Sequence, residues 1–228
     1  MNGKRRHAKI NDPGIDEVAI MLSETRILEL LEPFGIIGEP SYVGLISIYL
    51  QLLLHWSEKI NLTSIRNEEE CVTRHFGESL LLSRYEDWTE GAKVLDIGSG
   101  AGFPGLALKL AFPRTETTLL EPIGKKRAFM KEVIRACEME GVIVRPERIE
   151  QMAGTTTERY DAITVRAIGD LPGVILKSRS LLAGDGRLHL WLSGTQRQSL
   201  EKSGFALART LLIPLSRDRE IVTWVPRD

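Results

Sequence analysis

The sequence has few of the features that mark secreted or membrane proteins. Its 228 residues include only two cysteines, Cys71 and Cys137, and no CxxC or similar ligand spacing, so neither a disulfide scaffold nor a metal site is indicated. No apolar run reaches the roughly 18 residues of a transmembrane helix. The polar, basic start, MNGKRRHAKINDPG, lacks the apolar core of a signal peptide. We therefore expect a soluble, cytoplasmic, monomeric protein without membrane contact.

Strong charge of one sign is also missing. The formal net charge is −1 at pH 7, which excludes a uniformly basic nucleic-acid binder but leaves room for a local basic patch. Hydrophobic residues make up 43% of the chain, enough to bury a core and to argue against wholesale disorder. The length suits one α/β domain with an appended element, or two small domains.

Sequence patterns divide the chain into three parts. We expect a flexible basic tail at 1–14 and a helical extension at 15–90. Helical periodicity runs from Ile15 to about Phe34, and a second broad apolar stripe recurs between Leu45 and Trp56. No strand pattern precedes about residue 93, so the α/β domain is predicted to occupy 91–228.

From Lys93 onward, short apolar runs alternate with helical patterns. This alternation predicts a Rossmann-like, mostly parallel, doubly wound sheet with helices on both faces. A short link joins the last two runs, which predicts an antiparallel edge. The predicted strands are 95–97, 117–121, 142–146, 161–166, 186–192, 205–214 and 220–226, and the predicted helices lie at about 104–111, 125–139, 171–182 and 195–202.

A glycine-rich turn follows the first predicted strand. The segment VLDIGSGAGFPG spans 94–105 and contains Gly98, Gly100, Gly102 and Gly105. Glycine lets the backbone turn sharply and lets a ligand lie directly against it. Open α/β sheets bind ligands beyond the carboxyl ends of their strands, so this turn is the predicted binding site.

Two carboxylates near the turn indicate which ligand it holds. The glycines also satisfy GxGxxG, the dinucleotide fingerprint, so a nicotinamide-dependent oxidoreductase is an alternative. Asp96, just before the first glycine, would repel a pyrophosphate but suits a ligand with a cationic amino group and a sulfonium. Glu121, 25 positions later at the end of the next predicted strand, is placed to accept the ribose hydroxyls of either cofactor. The pair favours S-adenosylmethionine and hence a methyltransferase.

Several motifs resemble one family of RNA-modifying enzymes. They are INLTSI at 60–65, RHFGESL at 74–80, VLDIGSGAGFPGLAL at 94–108, GKK at 124–126 and VRAIGDL at 165–171. Over roughly residues 55–190 the chain is similar to the bacterial small-subunit ribosomal RNA guanine-N7 methyltransferases, once called the glucose-inhibited division protein B family. The resemblance implies a class I methyltransferase fold and S-adenosylmethionine as cofactor. It also implies that guanine N7 in 16S ribosomal RNA, in the small subunit or its assembly precursor, is the acceptor.

Carried over residue by residue, the resemblance implies a set of cofactor contacts, namely Gly98, Phe103, Glu121, the Ile149-Glu150 pair and Arg166. The glycine turn itself adds Asp96 and Gly100 to the predicted cofactor-binding residues. The sequence departs from the family before the GKK run, where the family usually has Asp-Ser and this chain has Pro122-Ile123.

Guanine N7 already carries a lone pair, so no general base is predicted. Catalysis then depends on holding N7 in line with the methyl group. Arg166 ends an apolar strand where substrate must approach, and it is the candidate positioning residue because arginine can stack on a base or pair with phosphate. The alternative is a structural salt bridge with a carboxylate such as Asp170. Glu150 is either a cofactor contact or a solvated loop residue.

Basic residues predict an RNA contact beside the turn. Lys125, Lys126 and Arg127 open the helix after Glu121, and Arg127, Lys131 and Arg135 form one stripe opposite an apolar face. A solvated face is the alternative. The resemblance adds Arg74 and His75 as candidates for lining the substrate cleft, although a lone histidine beside an aromatic residue is more often simply packed. A further alternative is an RNA-binding protein that keeps the fold without catalysis.

Overall fold

A seven-stranded sheet dominates the computed structural model, which describes residues 22–38, 40–197 and 205–226. The strand order is β3-β2-β1-β4-β5-β7-β6. The strands are β1 (Lys93–Ile97), β2 (Glu116–Leu120), β3 (Val142–Arg145), β4 (Tyr160–Arg166), β5 (Leu182–Ser193), β6 (Phe205–Leu212) and β7 (Arg219–Pro226).

The sheet is parallel from β3 through β5 and antiparallel at its far edge. Strand β1 pairs in parallel with β2 and with β4, β3 and β5 extend the parallel part, and β7 runs antiparallel between β5 and β6. The predicted doubly wound sheet with an antiparallel edge is therefore confirmed. Strand β5 begins at Leu182, earlier than predicted, because it pairs with Tyr160 before a register shift in the ladder.

Helices surround the sheet on both faces. Those in the described part of the chain are α1 (Glu24–Leu31), α2 (Val43–Lys59), α3 (Glu68–Cys71), α4 (Glu78–Leu80), α5 (Gly105–Ala111), α6 (Gly124–Ala136), α7 (Ile149–Ala153), α8 (Leu171–Arg179) and α9 (Gly194–Arg197). The tail predicted at 1–14, the start of the helix predicted from Ile15 and the end of the helix predicted at 195–202 lie outside the described residues. None of the described helices is long and apolar enough to cross a membrane.

Residues 68–84 form one irregular helical segment, called here the composite helix. It begins with α3, continues as a π-helical turn over Val72–Gly77, then as α4, and ends in a 3-10 turn over Leu81–Arg84. Asn67 caps its start by accepting a hydrogen bond from the Glu70 amide at 2.9 Å. Phe34 crosses the segment so closely that a Cβ on Gly77 would lie 2.6 Å from its ring. The composite helix is thus held against the N-terminal helices.

Two apolar clusters hold the layers together. The larger joins residues of α1, α2 and the composite helix to α5 and α6 on one face of the sheet, and the smaller joins the other face to α7 and α8. Tyr49 of α2 and Phe129 of α6 contact each other in the larger cluster, with ring centroids 6.2 Å apart. Because the N-terminal helices share this core with the sheet, the boundary at residues 90 and 91 stays a prediction.

Candidate functional site

The glycine-rich turn connects β1 to α5 at the carboxyl edge of the sheet. Gly98, Gly100 and Gly102 all have positive φ angles, of 70°, 59° and 84°, a region that side chains strongly disfavour. Gly105 allows α5 to approach the sheet, since a Cβ there would lie 2.6 Å from Leu119. At Gly100, by contrast, the nearest atom to such a Cβ is a backbone oxygen at 3.8 Å. The turn therefore leaves open space beside Gly100.

Glu121 lies against this turn from the end of β2. Its Oε2 accepts a hydrogen bond from the Gly100 amide at 3.0 Å, and its Oε1 accepts one from the Ile123 amide at 2.8 Å. The side chain is almost fully buried. An ionised carboxylate offers about four acceptor positions, so two remain for a ligand. The structure thus brings together Gly100 and Glu121, both predicted cofactor residues.

Asp96 is packed beneath the turn. It has no exposed surface, and its Oδ1 accepts a hydrogen bond from the Thr164 hydroxyl at 2.7 Å. Burial raises the pKa of Asp96 to about 6, although nearby hydrogen-bond donors act in the opposite direction. Asp96 therefore supports the turn from beneath, and its hydrogen bond with Thr164 joins β1 to β4. Its predicted direct contact with a cofactor stays a prediction.

Phe103 is the centre of an aromatic stack. Its ring lies nearly parallel to Tyr49 on one side, with centroids 5.0 Å apart, and to His75 on the other, at 4.8 Å. The Tyr49 hydroxyl donates a hydrogen bond to the Ala101 carbonyl at 2.5 Å, so α2 also holds the turn through its backbone. The N-terminal helices therefore fix the shape of the predicted cofactor site.

His75 is held from both sides. Its Nε2 lies 2.8 Å from the Thr63 hydroxyl. Burial lowers the pKa of His75 to about 3, with the positive charges of Arg166 and Arg74 adding to the effect. The side chain is half-buried and lies beside the glycine-rich turn. The ring is neutral at physiological pH, and its predicted position in a substrate cleft stays a prediction.

Arg166 binds a carboxylate other than the one considered from sequence. Its Nη2 lies 3.0 Å from Glu78 Oε2 and donates to the Arg74 carbonyl at 2.8 Å. Asp170 instead caps α8 by accepting a hydrogen bond from the Gly173 amide. Burial lowers the pKa of the Arg166 guanidinium, with Glu78 opposing the shift. Arg166 is therefore fixed in place at the end of β4.

Glu78 pairs with three arginines. Besides Arg166, the Glu78 carboxylate pairs with Arg219 at the start of β7 and with Arg74 Nε at 3.0 Å. Only 2% of the Glu78 side chain is exposed. Three guanidinium groups around one carboxylate leave an excess of positive charge at this edge, and Arg166 Nη1 is enclosed without a hydrogen-bond partner in the described structure. The cluster can attract an anionic group.

The Ile149-Glu150 pair begins α7, a helix that sequence reasoning treated as a loop. Ile149 is buried in the smaller apolar cluster. Glu150 is exposed, and its Oε1 lies 3.9 Å from Lys177 Nζ. Both residues follow β3 at the same edge of the sheet as Glu121, and their cofactor contacts stay predictions.

The basic side of α6 is only partly free. Lys125, Lys131 and Arg135 are exposed, and Lys126 is half-buried. Arg127, however, donates hydrogen bonds to the Glu121 and Pro122 carbonyls, so its guanidinium supports the loop after β2. The predicted apolar face is buried at Phe129, Met130, Val133 and Cys137.

Three side chains of the site were not predicted from the sequence. Glu78 and Thr63 lie within the quoted motifs RHFGESL and INLTSI but were given no role in the site, and Tyr49 was treated only as part of an apolar stripe. A lone acidic residue in the apolar segment FGESLLL was the available signal for Glu78, because carboxylates are rarely buried unless paired.

These features fit S-adenosylmethionine better than a dinucleotide. A pyrophosphate at the turn would need free backbone amides, yet the Gly100 amide already binds the Glu121 carboxylate. That carboxylate would also repel the phosphates. A ligand with ribose hydroxyls, an amino group and a sulfonium meets acceptors of suitable charge beside the open space at Gly100.

Comparison with known proteins gives consistent sequence matches. A family model described as rRNA small subunit methyltransferase G matches residues 43–209. A Ribosomal RNA small subunit methyltransferase G from Chloroflexus aggregans is 39% identical over 170 residues, which cover 73% of this chain and 70% of that protein. A protein of the same name from Staphylococcus carnosus is 33% identical over 162 residues, covering 70% and 68%.

Solved structures match the fold. A glycopeptide N-methyltransferase, MtfA, complexed with S-adenosyl-L-methionine superposes with a TM-score of 0.54 at 14% identity, covering 67% of this chain and 94% of that one. The ribosomal protein L11 methylase from Lactobacillus delbrueckii subsp. bulgaricus gives a TM-score of 0.55 at 13% identity, covering 68% and 79%. At such low identity the likeness bears on the fold alone.

Proposed function

Because the chain belongs to the rRNA small subunit methyltransferase G family, we propose that it transfers the methyl group of S-adenosylmethionine to N7 of a guanine in 16S ribosomal RNA. Family membership makes it an rRNA methyltransferase with S-adenosylmethionine as cofactor. The atom N7 and the 16S target are the finer part of the proposal. We further expect the enzyme to act as a monomer in the cytoplasm.

The observation that carries the cofactor assignment is the bond between Glu121 and the Gly100 amide. S-adenosylmethionine supplies the activated methyl group when bound. The remaining acceptor positions of Glu121 suit ribose hydroxyls, and the guanidinium of Arg166, whose side chain is 16% exposed, suits a carboxylate or a nucleic-acid oxygen. Phe103 and its two stacked partners, Tyr49 and His75, keep the turn in shape, so the protein mainly binds and orients.

Two groups beside the turn agree with an acceptor that needs no deprotonation. His75 has a pKa of about 3 and is a poor base at neutral pH. Asp96 is enclosed beneath the turn. Guanine N7 attacks through its own lone pair, so positioning alone is sufficient.

The exposed cations of α6 support contact with the RNA backbone. Replacing Lys131 and Arg135 together by alanine should raise KM for RNA, leave kcat nearly unchanged and reduce the salt dependence of binding, because phosphate contacts release counterions. Arg114→Ala is the matched control, since Arg114 is also an exposed cation, at 75%, but pairs with Glu90 and precedes β2 outside α6. Equal effects in both variants would argue against this RNA surface.

Methyl transfer to small subunits lacking the modification tests the function. Tritium from labelled cofactor should enter 16S RNA, and mass spectrometry should locate it on N7 of one guanine. Calorimetry should detect S-adenosylmethionine binding and no binding of NAD. Arg166→Ala should lower methyl transfer at least tenfold. Label on another atom or another RNA would overturn the proposed acceptor, and wild-type turnover of Arg166→Ala would remove the role given to that residue.

A further inference from the structure

The hydrogen bonds around His75 favour one placement of its ring proton. The Thr63 hydroxyl lies 2.8 Å from His75 Nε2 and also accepts the Ile65 amide at 3.1 Å. A hydroxyl has a single hydrogen to donate, and the described residues offer it no other acceptor than Nε2. The tautomer that satisfies this hydrogen has Nε2 as the acceptor, and in that neutral imidazole the proton resides on Nδ1.

His75 Nδ1 is the nitrogen left for a ligand. It makes no hydrogen bond with the described part of the chain, and it is not among the enclosed unsatisfied atoms. The ring is fixed in orientation by its stack on Phe103 and by Thr63. The pKa of about 3, caused by burial and by Arg166 and Arg74, keeps the group a neutral donor. The result is one rigid, uncharged N–H beside the glycine-rich turn.

We infer that His75 Nδ1–H donates a hydrogen bond to O6 of the target guanine and so selects guanine over adenine. This inference rests on the proposed N7 methylation. O6 is the acceptor next to N7 on the same edge of the base, whereas adenine presents an amino donor there. A fixed N–H donates to guanine O6 and is mismatched with the amino donor of adenine. A neutral donor also avoids repulsion with the positive charge that N7 methylation places on the ring.

Thr63 is a positioning residue in this scheme. Without its hydroxyl, the proton could move to Nε2 and turn Nδ1 into an acceptor, which would suit the amino group of adenine instead. Thr63→Val removes the hydroxyl at nearly constant volume, and Thr63→Ser keeps it. The two variants therefore separate the hydrogen bond from the packing.

Base analogues at the target position provide the test. Hypoxanthine keeps both N7 and O6, whereas 2-aminopurine keeps N7 and lacks O6. For wild type, kcat/KM should be about 10- to 100-fold higher with hypoxanthine, the usual consequence of losing a hydrogen bond and leaving a donor unpaired. Intrinsic differences in N7 reactivity cancel when this ratio is compared between variants, as in a double-mutant cycle.

Four variants complete the design. His75→Phe keeps the ring stack but has no donor, and Thr63→Val leaves the proton unfixed, so both should lower the ratio at least fivefold. His75→Asn places an amide N–H near the position of Nδ1, and Thr63→Ser keeps the hydroxyl, so both should retain most of it. A wild-type ratio that persists in His75→Phe overturns the inference while leaving N7 methylation intact. Absence of N7 methylation of guanine by the wild-type enzyme would instead refute the proposed function.

Discussion

The Glu78 cluster allows a direct test of how the carboxyl edge is held. Glu78→Gln removes the negative charge among Arg74, Arg166 and Arg219 and keeps the size of the side chain. Breaking a buried ion pair costs about 3–5 kcal/mol. We expect a value near the lower end, because Arg74 is 41% exposed and water can screen it. For a chain of this size that loss corresponds to roughly 6–12 °C in Tm.

Two other glutamates serve as matched controls. Glu86 is also buried and pairs with Arg187 at 2.8 Å and Arg209 at 3.0 Å. Arg187 pairs with Ala162, four residues before Arg166 on β4, so this second cluster lies about 13 Å from the carboxyl edge. Glu86→Gln should destabilise somewhat less, because Arg187 and Arg209 are 45% and 38% exposed, and it should not change methyl transfer.

Glu90 serves as the solvent-exposed control. It is 73% exposed and pairs with Arg114 at 3.2 Å, so Glu90→Gln should change the free energy of unfolding by less than about 1 kcal/mol. Urea denaturation followed by circular dichroism gives the stabilities, and labelled-methyl transfer is measured at a temperature at which every variant is folded. Glu78→Gln should be the one variant of the three that lowers kcat. Equal loss of activity in Glu86→Gln, or a Glu78→Gln protein as stable as wild type, would refute the reasoning.

Two more predictions concern packing and pH. Gly77→Ala should cost about 1–3 kcal/mol, because its Cβ would lie 2.6 Å from the Phe34 ring, whereas Gly184→Ala, with nothing within 4 Å, should be neutral or slightly stabilising in urea denaturation. His189 is fully buried beside Thr223, and burial lowers its pKa to about 3, so the unfolded chain takes up its proton first as the pH falls below 6.5. The contribution of His189 to the free energy of unfolding is complete above pH 6.5. It falls by up to about 1.4 kcal/mol for each pH unit between 6.5 and 3. Denaturation curves at pH 7 and pH 5 should show this loss, and a His189→Gln protein with an unchanged pH dependence would contradict it.

The sheet was predictable because its strands are marked by local pattern. Each buried parallel strand is a short apolar run bounded by polar or glycine residues, as in LDI and DAITVR, and period and length suffice to recognise it. The composite helix lies within the predicted helical extension at 15–90, but its own bounds were not predicted. Its apolar residues do not keep a period of 3.6, because the π-helical turn at Val72–Gly77 shifts the register of the buried face.

The site was predictable where the ends of two neighbouring strands determine it. Gly100 and Glu121 could be paired because the carboxyl ends of β1 and β2 meet at one edge. Glu78 could not be paired with its partners, since Arg166 and Arg219 are 88 and 141 positions away in the chain. Nor could sequence show that Asp96 is turned inward toward Thr164, because that depends on how closely Gly105 brings α5 to the sheet.

The shared core has a consequence for synthesis of the chain. Tyr49 contacts Phe129, 80 positions later, so the apolar side of α2 has no complete partner until α6 has been made. At translation rates of about 5–20 residues per second, that delay amounts to roughly 4–16 s. During this interval the emerging helices expose a broad apolar surface that the later part of the chain has not yet covered.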